Sequence, residues 1–412
     1  MNCSSIETLH LTIAALCLVL AMALLAPSQA YAQTETVLHN FNGSDGSGSL
    51  AELIMDSSGN LYGTTYAGGS HNQGAVFQLS PPVSPGTSWS ESVLFSFGGT
   101  AQAANPGAPL TMDSYSDLYG TTISGGLYNY GTFFRITPGL PWTETGLYSF
   151  EGRTDGSYPE GAFVRDSRGN LFSTTYAGGN CGEGTVFELI PPTLPSIVWE
   201  KKILHHFCGT DGSNPDVGLV MDSGGNLFGT TLNGGAHTWG TVFKLSYNSG
   251  LGTWTETVLH SFGGLADGMG RSASLIMDSF GNLYGTTIRG GLYGYGTVFE
   301  VICSSGSCAE TSLYAFLGGK DGKTPYGRLI MDSHGNLYGT SFGGGSGSNP
   351  QGTVFKLSPG IPWAKTILHS FCNAGDGCNP YAGLVMDSRG NLYGTTSAGG
   401  ASGHGTVFKI AP

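Results

Sequence analysis

Residues 55–65 read MDSSGNLYGTT, and close copies of this phrase recur along the whole chain. In six of the seven copies, the turn DSxGN places a glycine where a tight hairpin needs positive φ, and an aspartate whose carboxylate can accept turn amides. Seven aspartates mark the copies, about 55 residues apart on average: Asp56, Asp113, Asp166, Asp222, Asp278, Asp332 and Asp387. A fixed period of this length is typical of a solenoid or a propeller.

Each repeat contains four short phrases in a fixed order. An apolar run such as LIM precedes the aspartate, NLYGTT follows it, and then come GTVFKL and VLHSF. All four are rich in β-branched and aromatic residues and are bounded by Gly, Pro, Asn or Asp, so each predicts a strand. Four antiparallel strands repeated seven times predict an all-β, seven-bladed β-propeller, with strands named a to d from the channel outward.

The order of the phrases at the two ends predicts how the ring closes. The chain after residue 32 opens on a lone d phrase, Glu35–Phe41, and its last phrase is the c phrase Gly405–Ile410. The N-terminal strand is therefore predicted to complete the last blade, which leaves no unpaired edge at the closure.

The phrases DSxGNLYGTT, GTVFKL and VLHSF resemble the GloVer tandem repeat of bacterial exported proteins. The resemblance covers nearly all of residues 35–412, and three phrases recur in fixed order. It implies a β-propeller-like, exported protein and little about activity.

Residues 1–32 predict a secretory signal peptide, which leaves residues 33–412 as the propeller. Leu11–Leu25 is an almost unbroken apolar run, followed by a small-x-small cleavage site at Ala30–Ala32. The run is shorter than the roughly 20 residues of a membrane span, and no second apolar run follows it. We therefore expect a secreted, periplasmic or extracellular protein without a transmembrane segment in its mature form.

The charge balance narrows the class of partner. The chain has 16 Lys and Arg against 28 Asp and Glu, a net charge of −12. This excess of acid argues against nucleic acid and anionic membranes as partners. A saccharide or another protein is the expected partner; we expect a monomer without cofactor or metal.

Six cysteines follow the signal peptide, an even number that favours disulfides in an oxidising compartment. Their positions favour Cys303 with Cys308 across one c–d hairpin and Cys372 with Cys378 within one d–a loop. Cys181 and Cys208 fall in loops of the same face. The sequence alone leaves the connectivity open.

Three recurring residue types have structural interpretations. The repeated aspartates supply one carboxylate per turn, which fits turn architecture better than calcium, an ion that needs six to eight oxygens. The strand-d histidines share their slot with Phe and Tyr, which indicates packing rather than catalysis. The tryptophans before strand d are interpreted as wedges that pack the outer hairpin, with the Cys303–Cys308 pair replacing one of them. The strand-d histidines are His39, His205, His260 and His369, and the tryptophans before strand d are Trp89, Trp142, Trp199, Trp254 and Trp363.

Positions where the copies disagree indicate the candidate site. One variable position on the d–a face, near the channel mouth, reads Leu50, Gly107, Glu160, Asp216, Arg271, Tyr326 and Tyr381; a second reads Glu52, Pro109, Ala162, Gly218, Ser274, Arg328 and Gly383. The b–c loops add Tyr128, Tyr130, His237, Trp239, Arg289, Tyr293, Tyr295 and His404. Aromatic and sparse charged side chains at a concave mouth predict a small polar or saccharide ligand, bound by Glu160, Asp216, Arg271, Tyr326, Arg328 and Tyr381. The alternative is that these charges only pair across blades.

The sequence therefore predicts an exported binding or interaction module without assigned catalytic residues. One alternative is an extracellular carbohydrate-active hydrolase or lyase that uses Glu160 and Asp216, because adjacent blades hold two acids several ångströms apart. Another is a structural repeat protein of the cell envelope.

Overall fold

The computed structural model describes residues 35–84, 88–98, 103–193, 196, 198–264, 267–304, 306–347, 349–373 and 375–411. The predicted signal peptide lies outside these residues. The described chain is built from β-strands and two 3-10 turns, Arg153–Asp155 and Gly319–Asp321, and it contains no α-helix. None of its elements could span a bilayer as a helix.

Seven antiparallel four-stranded sheets form the predicted seven-bladed propeller. In the order a to d, the first four blades contain Ile54–Met55, Leu61–Thr65, Ala75–Ser80 and Ser90–Ser96; Thr111–Met112, Leu118–Thr122, Thr132–Thr137 and Thr143–Ser149; Val164–Arg165, Leu171–Thr175, Thr185–Ile190 and Glu200–His206; and Val220–Met221, Leu227–Thr230, Thr241–Asn248 and Thr253–Ser261. The last three contain Ile276–Met277, Leu283–Arg289, Thr297–Ser304 and Ser307–Ala315; Ile330–Met331, Leu337–Ser341, Thr353–Ser358 and Ala364–Ser370; and Val385–Met386, Leu392–Thr396, Thr406–Ile410 and Glu35–Asn40.

Short additional strands extend strand b on one face. Met269–Ser272 joins the fifth blade, and Ala103–Ala104 pairs with Ser124–Gly125. Gly377–Cys378 pairs with Ala398–Gly399 in the same way.

The N-terminal strand closes the ring. Glu35–Asn40 runs antiparallel to Thr406–Ile410, with Glu35 opposite Ile410 and Asn40 opposite Thr406. The prediction that the first strand completes the last blade is confirmed, and the outer edge of that blade comes from the opposite end of the chain.

The hydrophobic core lies between blades. Each of the seven buried clusters contains residues of two consecutive blades, including the pair formed by the last blade and the first. A phenylalanine directly after strand d packs against a phenylalanine of strand c in the next blade. Phe41 meets Phe77 with ring centroids 5.1 Å apart, and Phe262 meets Phe299 at 5.2 Å. Burying such rings between blades is the main favourable term in holding them together.

The repeated aspartates build the a–b turns, as predicted. Asp56 Oδ1 accepts hydrogen bonds from the backbone N–H groups of Ser58 and Asn60, both at 2.9 Å. Its Oδ2 accepts from Asn60 Nδ2 at 2.7 Å and from Tyr62 Oη at 3.2 Å. These donors outweigh the effect of burial and hold the pKa of Asp56 below its usual value.

The structure contains the three disulfides that the sequence favoured: Cys181–Cys208, Cys303–Cys308 and Cys372–Cys378. Cys308 packs against the core cluster between the fourth and fifth blades. Trp254 occupies the equivalent place in the cluster between the third and fourth blades. The tryptophans also act between blades: the ring of Trp199, in the third blade, lies 5.1 Å from that of Phe133 in the second. Trp254 packs within its own outer hairpin as well, 5.4 Å from Tyr247.

Candidate ligand-binding face

The d–a loops and the b–c loops lie on one face of the propeller. Ser157 in a d–a loop pairs with Ala177 beyond strand b. The b–c loop of the preceding blade reaches the same place, because the Tyr130 ring lies 6.1 Å from that of Tyr158. Variable residues of both loop sets therefore share a surface.

Several of the predicted aromatic side chains of the b–c loops cover glycines of the d–a loops. Tyr130 lies over Gly152, which has φ 71°, and a Cβ added there would come within 2.7 Å of the Tyr130 ring. Tyr295 covers Gly318 in the same way. The rings keep one side exposed to solvent, and Tyr295 is 42% exposed. These aromatics are thus held in place by loop packing while one side remains available.

Tyr326 and Tyr381 form an aromatic platform on this face. Their rings stack with centroids 4.6 Å apart and planes 20° from parallel. Phe342 stands at 87° to Tyr326 and at 89° to Tyr381, with centroid distances of 5.6 and 6.2 Å. Two tyrosines that the sequence assigned to neighbouring blades are therefore brought into direct contact.

A groove of about 620 Å³ adjoins this platform and shares Phe342 with it. Glycines form much of the lining of the groove, and its polar side chains are those of Lys320, Lys323, Ser346, Gln351 and Asn379. No acidic residue is found among its described lining residues. The groove is therefore an electropositive region of an acidic protein.

The two lysines of the groove are peculiar to one repeat. The Lys323 position is defined by strand pairing, because Lys323 pairs with Gly343 as Ser157 pairs with Ala177. In the other repeats this position holds Ser, Ala, Met or Cys. Lys320 stands where Thr154 and Thr210 occur in other repeats. Gly343 lets the Lys323 side chain lie against the backbone, since an added Cβ would come 2.9 Å from Lys323 Cε. Neither lysine is needed for the shared fold.

Arg328 lies in the channel rather than in the platform. Its Nη1 is 3.8 Å from Glu52 Oε2 of the first blade, and its Nε donates to the carbonyl oxygen of Leu275 in the fifth blade at 3.4 Å. Burial raises the pKa of Glu52, and the Arg328 guanidinium opposes that rise. Gly383 leaves room for the pair, because a Cβ there would come 2.4 Å from Glu52 Oε1. These two residues form a bridge across the channel.

The repeat phrases match a known family. The Gloeobacter/Verrucomicrobia repeat matches residues 25–215 and 195–408, two ranges that together cover most of the chain. The chain belongs to this family. The resemblance of the phrases to that repeat is thereby confirmed. No curated protein sequence matches the chain.

Solved structures similar to this Gloeobacter/Verrucomicrobia repeat protein have low sequence identity to it. A PL25 ulvan lyase, solved bound to -[GlcA(1-4)Rha3S]-, is 11% identical, with 91% of this chain and 95% of the lyase covered and a TM-score of 0.55. A candidate 6-phosphogluconolactonase from Bacteroides uniformis is 15% identical, with 77% and 83% covered and a TM-score of 0.47.

Strand pairing in the repeat protein corrects one position of the predicted site. Met269 pairs with Arg289 as Ser157 pairs with Ala177, so Ser272, not Arg271, is the equivalent of Glu160. The distance from the paired loop residue to strand a is the same in both repeats, so Arg271 lies one residue before the equivalent position. The side chain of Arg271 lies outside the described part of the structure. Asp216 is only 5% exposed, whereas Glu160 is half-buried. The ligand-binding role of the six predicted residues stays a prediction.

Sequence reasoning missed a polar network in the repeat protein that involves the strand-d rings. The four histidines pack edge-on against the following phenylalanine, as His260 does against Phe262 at 4.9 Å. Each also pairs with an aspartate of the next d–a loop, as His260 Nε2 does with Asp267 Oδ2 at 3.1 Å. The tyrosines at the same position donate similarly, with Tyr148 Oη 2.8 Å from Asp155 Oδ1. Interpreting these rings as packing alone was therefore incomplete.

Proposed function

We propose that this protein is an exported binding module that holds an acidic saccharide on the face formed by the d–a and b–c loops. The observation that carries the proposal is the groove of about 620 Å³ in which Lys320 and Lys323 adjoin the Tyr326–Tyr381 platform. Two lysines in one groove of a chain with net charge −12 form a local site for an anion.

The groove has the chemistry that such a ligand needs. Lysine ammonium groups pair with carboxylate or sulfate, and the exposed sides of aromatic rings pack on the apolar face of a pyranose. The side-chain amides of Gln351 and Asn379 can both donate to and accept from sugar hydroxyls. A concave site of several hundred Å³ with a few polar groups that orient the ligand is typical of binding pockets. The ulvan lyase with this fold was solved with an acidic glycan, which makes acidic glycans the first class to test.

Export is the second part of the proposal. Three disulfides occur in the described chain, and they persist in oxidising compartments. The apolar run Leu11–Leu25 with the cleavage site at Ala30–Ala32 supplies a signal for that route. N-terminal sequencing of protein recovered from the periplasm or culture medium tests this part, with Gln33 as the expected first residue.

Binding is tested with the tag-free mature protein on an array of neutral and acidic oligosaccharides. We expect binding to uronic-acid or sulfated glycans that weakens as salt is raised, because exposed charges are screened. Replacing Lys320 and Lys323 together by Gln should abolish it, and Tyr381→Ala should weaken it. The matched control is Lys202→Gln, which removes an exposed lysine that pairs with Glu200 on an outer strand. Glycan binding that survives the double substitution, or no binding to any glycan, would overturn the proposal.

The same glycans distinguish a binding module from a lyase or hydrolase. The predicted acids are Glu160 and Asp216, and the burial of Asp216 limits its access to a substrate. Incubation of the wild-type protein with each bound glycan should release no product detectable by mass spectrometry. Product that disappears in the Glu160→Gln variant would replace the binding proposal by catalysis. A protein that binds no glycan would be assigned to a structural role in the envelope.

A further inference from the structure

A second polar site recurs between neighbouring blades, away from the groove. In every blade the strand-d residue opposite the fifth residue of strand c is Glu or Lys, and in six blades it interacts electrostatically with an aspartate of the preceding d–a loop. We call it the interblade residue: Glu35, Glu91, Glu144, Lys201, Glu256, Glu310 or Lys365, each opposite an equivalent residue of strand c.

The charge of the interblade residue follows the ring that it faces. Glutamate occurs opposite histidine four times: Glu91 with His39, Glu256 with His205, Glu310 with His260, and Glu35 with His369. Lysine occurs opposite tyrosine twice, as Lys201 with Tyr148 and Lys365 with Tyr314. The remaining ring is Phe95, and the residue opposite it is Glu144. This correlation indicates that the pocket between the ring, the aspartate and the interblade residue requires a particular combination of side chains.

The lysine copies show what that requirement is. Lys201 Nζ bonds to the carbonyl oxygen of Asp155 and lies 2.9 Å from its Oδ1, and it stands 4.4 Å above the Phe150 ring. Its side chain is only 3% exposed. Lys365 is held in the same way, 3.1 Å from Asp321 Oδ1 and 4.0 Å above Phe316. In these two copies a cation that belongs to the chain fills the pocket.

In two of the four repeats with a strand-d histidine, three metal-ligating side chains lie together in the same pocket. Ligand atoms of His39, Asp45 and Glu91 all lie within 4.8 Å of one another, and those of His260, Asp267 and Glu310 do so too. Glu91 Oε1 and Glu310 Oε1 are buried and have no hydrogen-bond partner among the described residues. Buried polar atoms are normally paired, so these two oxygens call for a ligand.

Electrostatics point to a positive ligand. Each cluster brings two carboxylates together, Glu91 with Asp45 and Glu310 with Asp267, with ligand oxygens within 4.8 Å of each other. Two carboxylates without a cation between them disfavour each other's ionised form. The ammonium of Lys201 removes this conflict in its own copy, and a bound cation would do so here.

We propose that the clusters His39–Asp45–Glu91 and His260–Asp267–Glu310 each bind one divalent transition-metal ion, with Zn²⁺ as the probe. The His260 Nε2 to Asp267 Oδ2 distance of 3.1 Å suits adjacent ligands, since two ligands about 2.1 Å from one ion stand about 3.0–3.4 Å apart. Neutral imidazole combined with carboxylates favours Zn²⁺ or Mn²⁺ over Ca²⁺, and water completes the coordination. Nε2 ligates without its proton, and Nδ1 keeps one.

The two ions would connect blades rather than support a reaction. Glu91 belongs to the first blade, whereas His39 lies in the N-terminal strand that completes the last one. Glu310 and His260 connect the fifth and fourth blades. The first ion would therefore fasten the closing strand to the blade that follows it.

The test is a titration of the tag-free, EDTA-treated mature protein with Zn²⁺ by isothermal calorimetry. We expect two ions per chain and a melting temperature that rises with Zn²⁺. Glu91→Gln and Glu310→Gln should each remove one ion, or weaken that site by at least about tenfold. Glu144→Gln is the matched control, because its partner ring is Phe95, which offers no ligand, and it should keep both ions.

A second variant separates loss of metal binding from loss of folding. His260→Tyr combined with Glu310→Lys recreates the residue pair that Lys201 and Tyr148 form naturally, so this variant should fold and bind one ion fewer. Additional ions that disappear with Glu256→Gln or Glu35→Gln would extend the proposal to the remaining His–Asp–Glu copies. Absence of Zn²⁺ binding, or two ions retained when Glu91 and Glu310 are both replaced by Gln, would overturn it.

Discussion

The closing strand can be tested by truncating a single ring. Phe41 is fully buried and packs on Phe77 at 5.1 Å, so it anchors the closing strand to the first blade. Phe→Ala in a core costs about 3–5 kcal/mol. Unfolding entropy of about 2.1 cal/mol/K per residue gives roughly 0.8 kcal/mol/K for a chain of this size, so Phe41→Ala should lower the melting temperature by about 4–6 °C.

Phe262→Ala supplies the internal standard. Phe262 is also fully buried and meets Phe299 at 5.2 Å, but it lies in the middle of the chain. The free energy of unfolding of both variants is measured by urea denaturation of the mature protein. Equal losses of unfolding free energy show that the closing strand packs on the first blade as stably as two internal blades pack on each other. If Phe41→Ala costs less than about 1 kcal/mol while Phe262→Ala costs 3–5 kcal/mol, the strand is frayed and the reasoning fails.

Three further predictions concern single repeats. Burial lowers the pKa of Lys201 to about 8 from 10.5, so the unfolded chain holds more protons between these values and wild-type stability rises with pH there. The stability cost of Lys201→Met in urea should therefore grow by about 1.5 kcal/mol from pH 8 to pH 9.5, and a constant cost would contradict the shift. Ser116 has φ 66° where other turns have glycine, so Ser116→Gly should stabilise the protein by about 0.5–1 kcal/mol in the same assay; destabilisation would contradict this. Replacing the Cys181–Cys208 pair, 27 residues apart, by serines should cost about 1–1.5 kcal/mol more than replacing the Cys303–Cys308 pair, five apart, and the reverse order would refute the loop-length argument.

The architecture could be predicted because each repeat carries the sequence signals for its own strands and turns. The turn aspartate recurs seven times and the glycine three residues after it six times, so one misleading copy could not change the interpretation. The closing strand could be predicted because Glu35–Phe41 is a d phrase without a preceding c phrase. The Trp-to-Cys replacement was also readable, since Cys308 stands at the tryptophan position of its repeat.

The candidate site was less readable because its contacts cross repeats. Arg328 was grouped with the tyrosines on position alone, yet its partner Glu52 lies in a blade that is not adjacent in sequence. Lys320 and Lys323 were missed because the comparison used positions closer to the channel. Arg271 was assigned one residue before the equivalent position, which is Ser272. Loop length and side-chain direction decide such contacts, and neither is encoded in the repeat phrase.

The pairing of rings with interblade charges was present in the sequence as a correlation, and it predicts a measurable coupling. Glu310→Lys alone would place an ammonium beside His260 and Asp267, and His260→Tyr alone would leave two carboxylates facing a phenol. The double variant restores the combination seen at Lys201 and Tyr148. In EDTA, we therefore expect it to be more stable than the sum of the single changes by about 1–3 kcal/mol, in the range that contacting residues show. Additive effects in urea unfolding would mean that the ring and the charge vary independently, and that the six matched pairs reflect shared ancestry of the repeats rather than a physical requirement of the pocket.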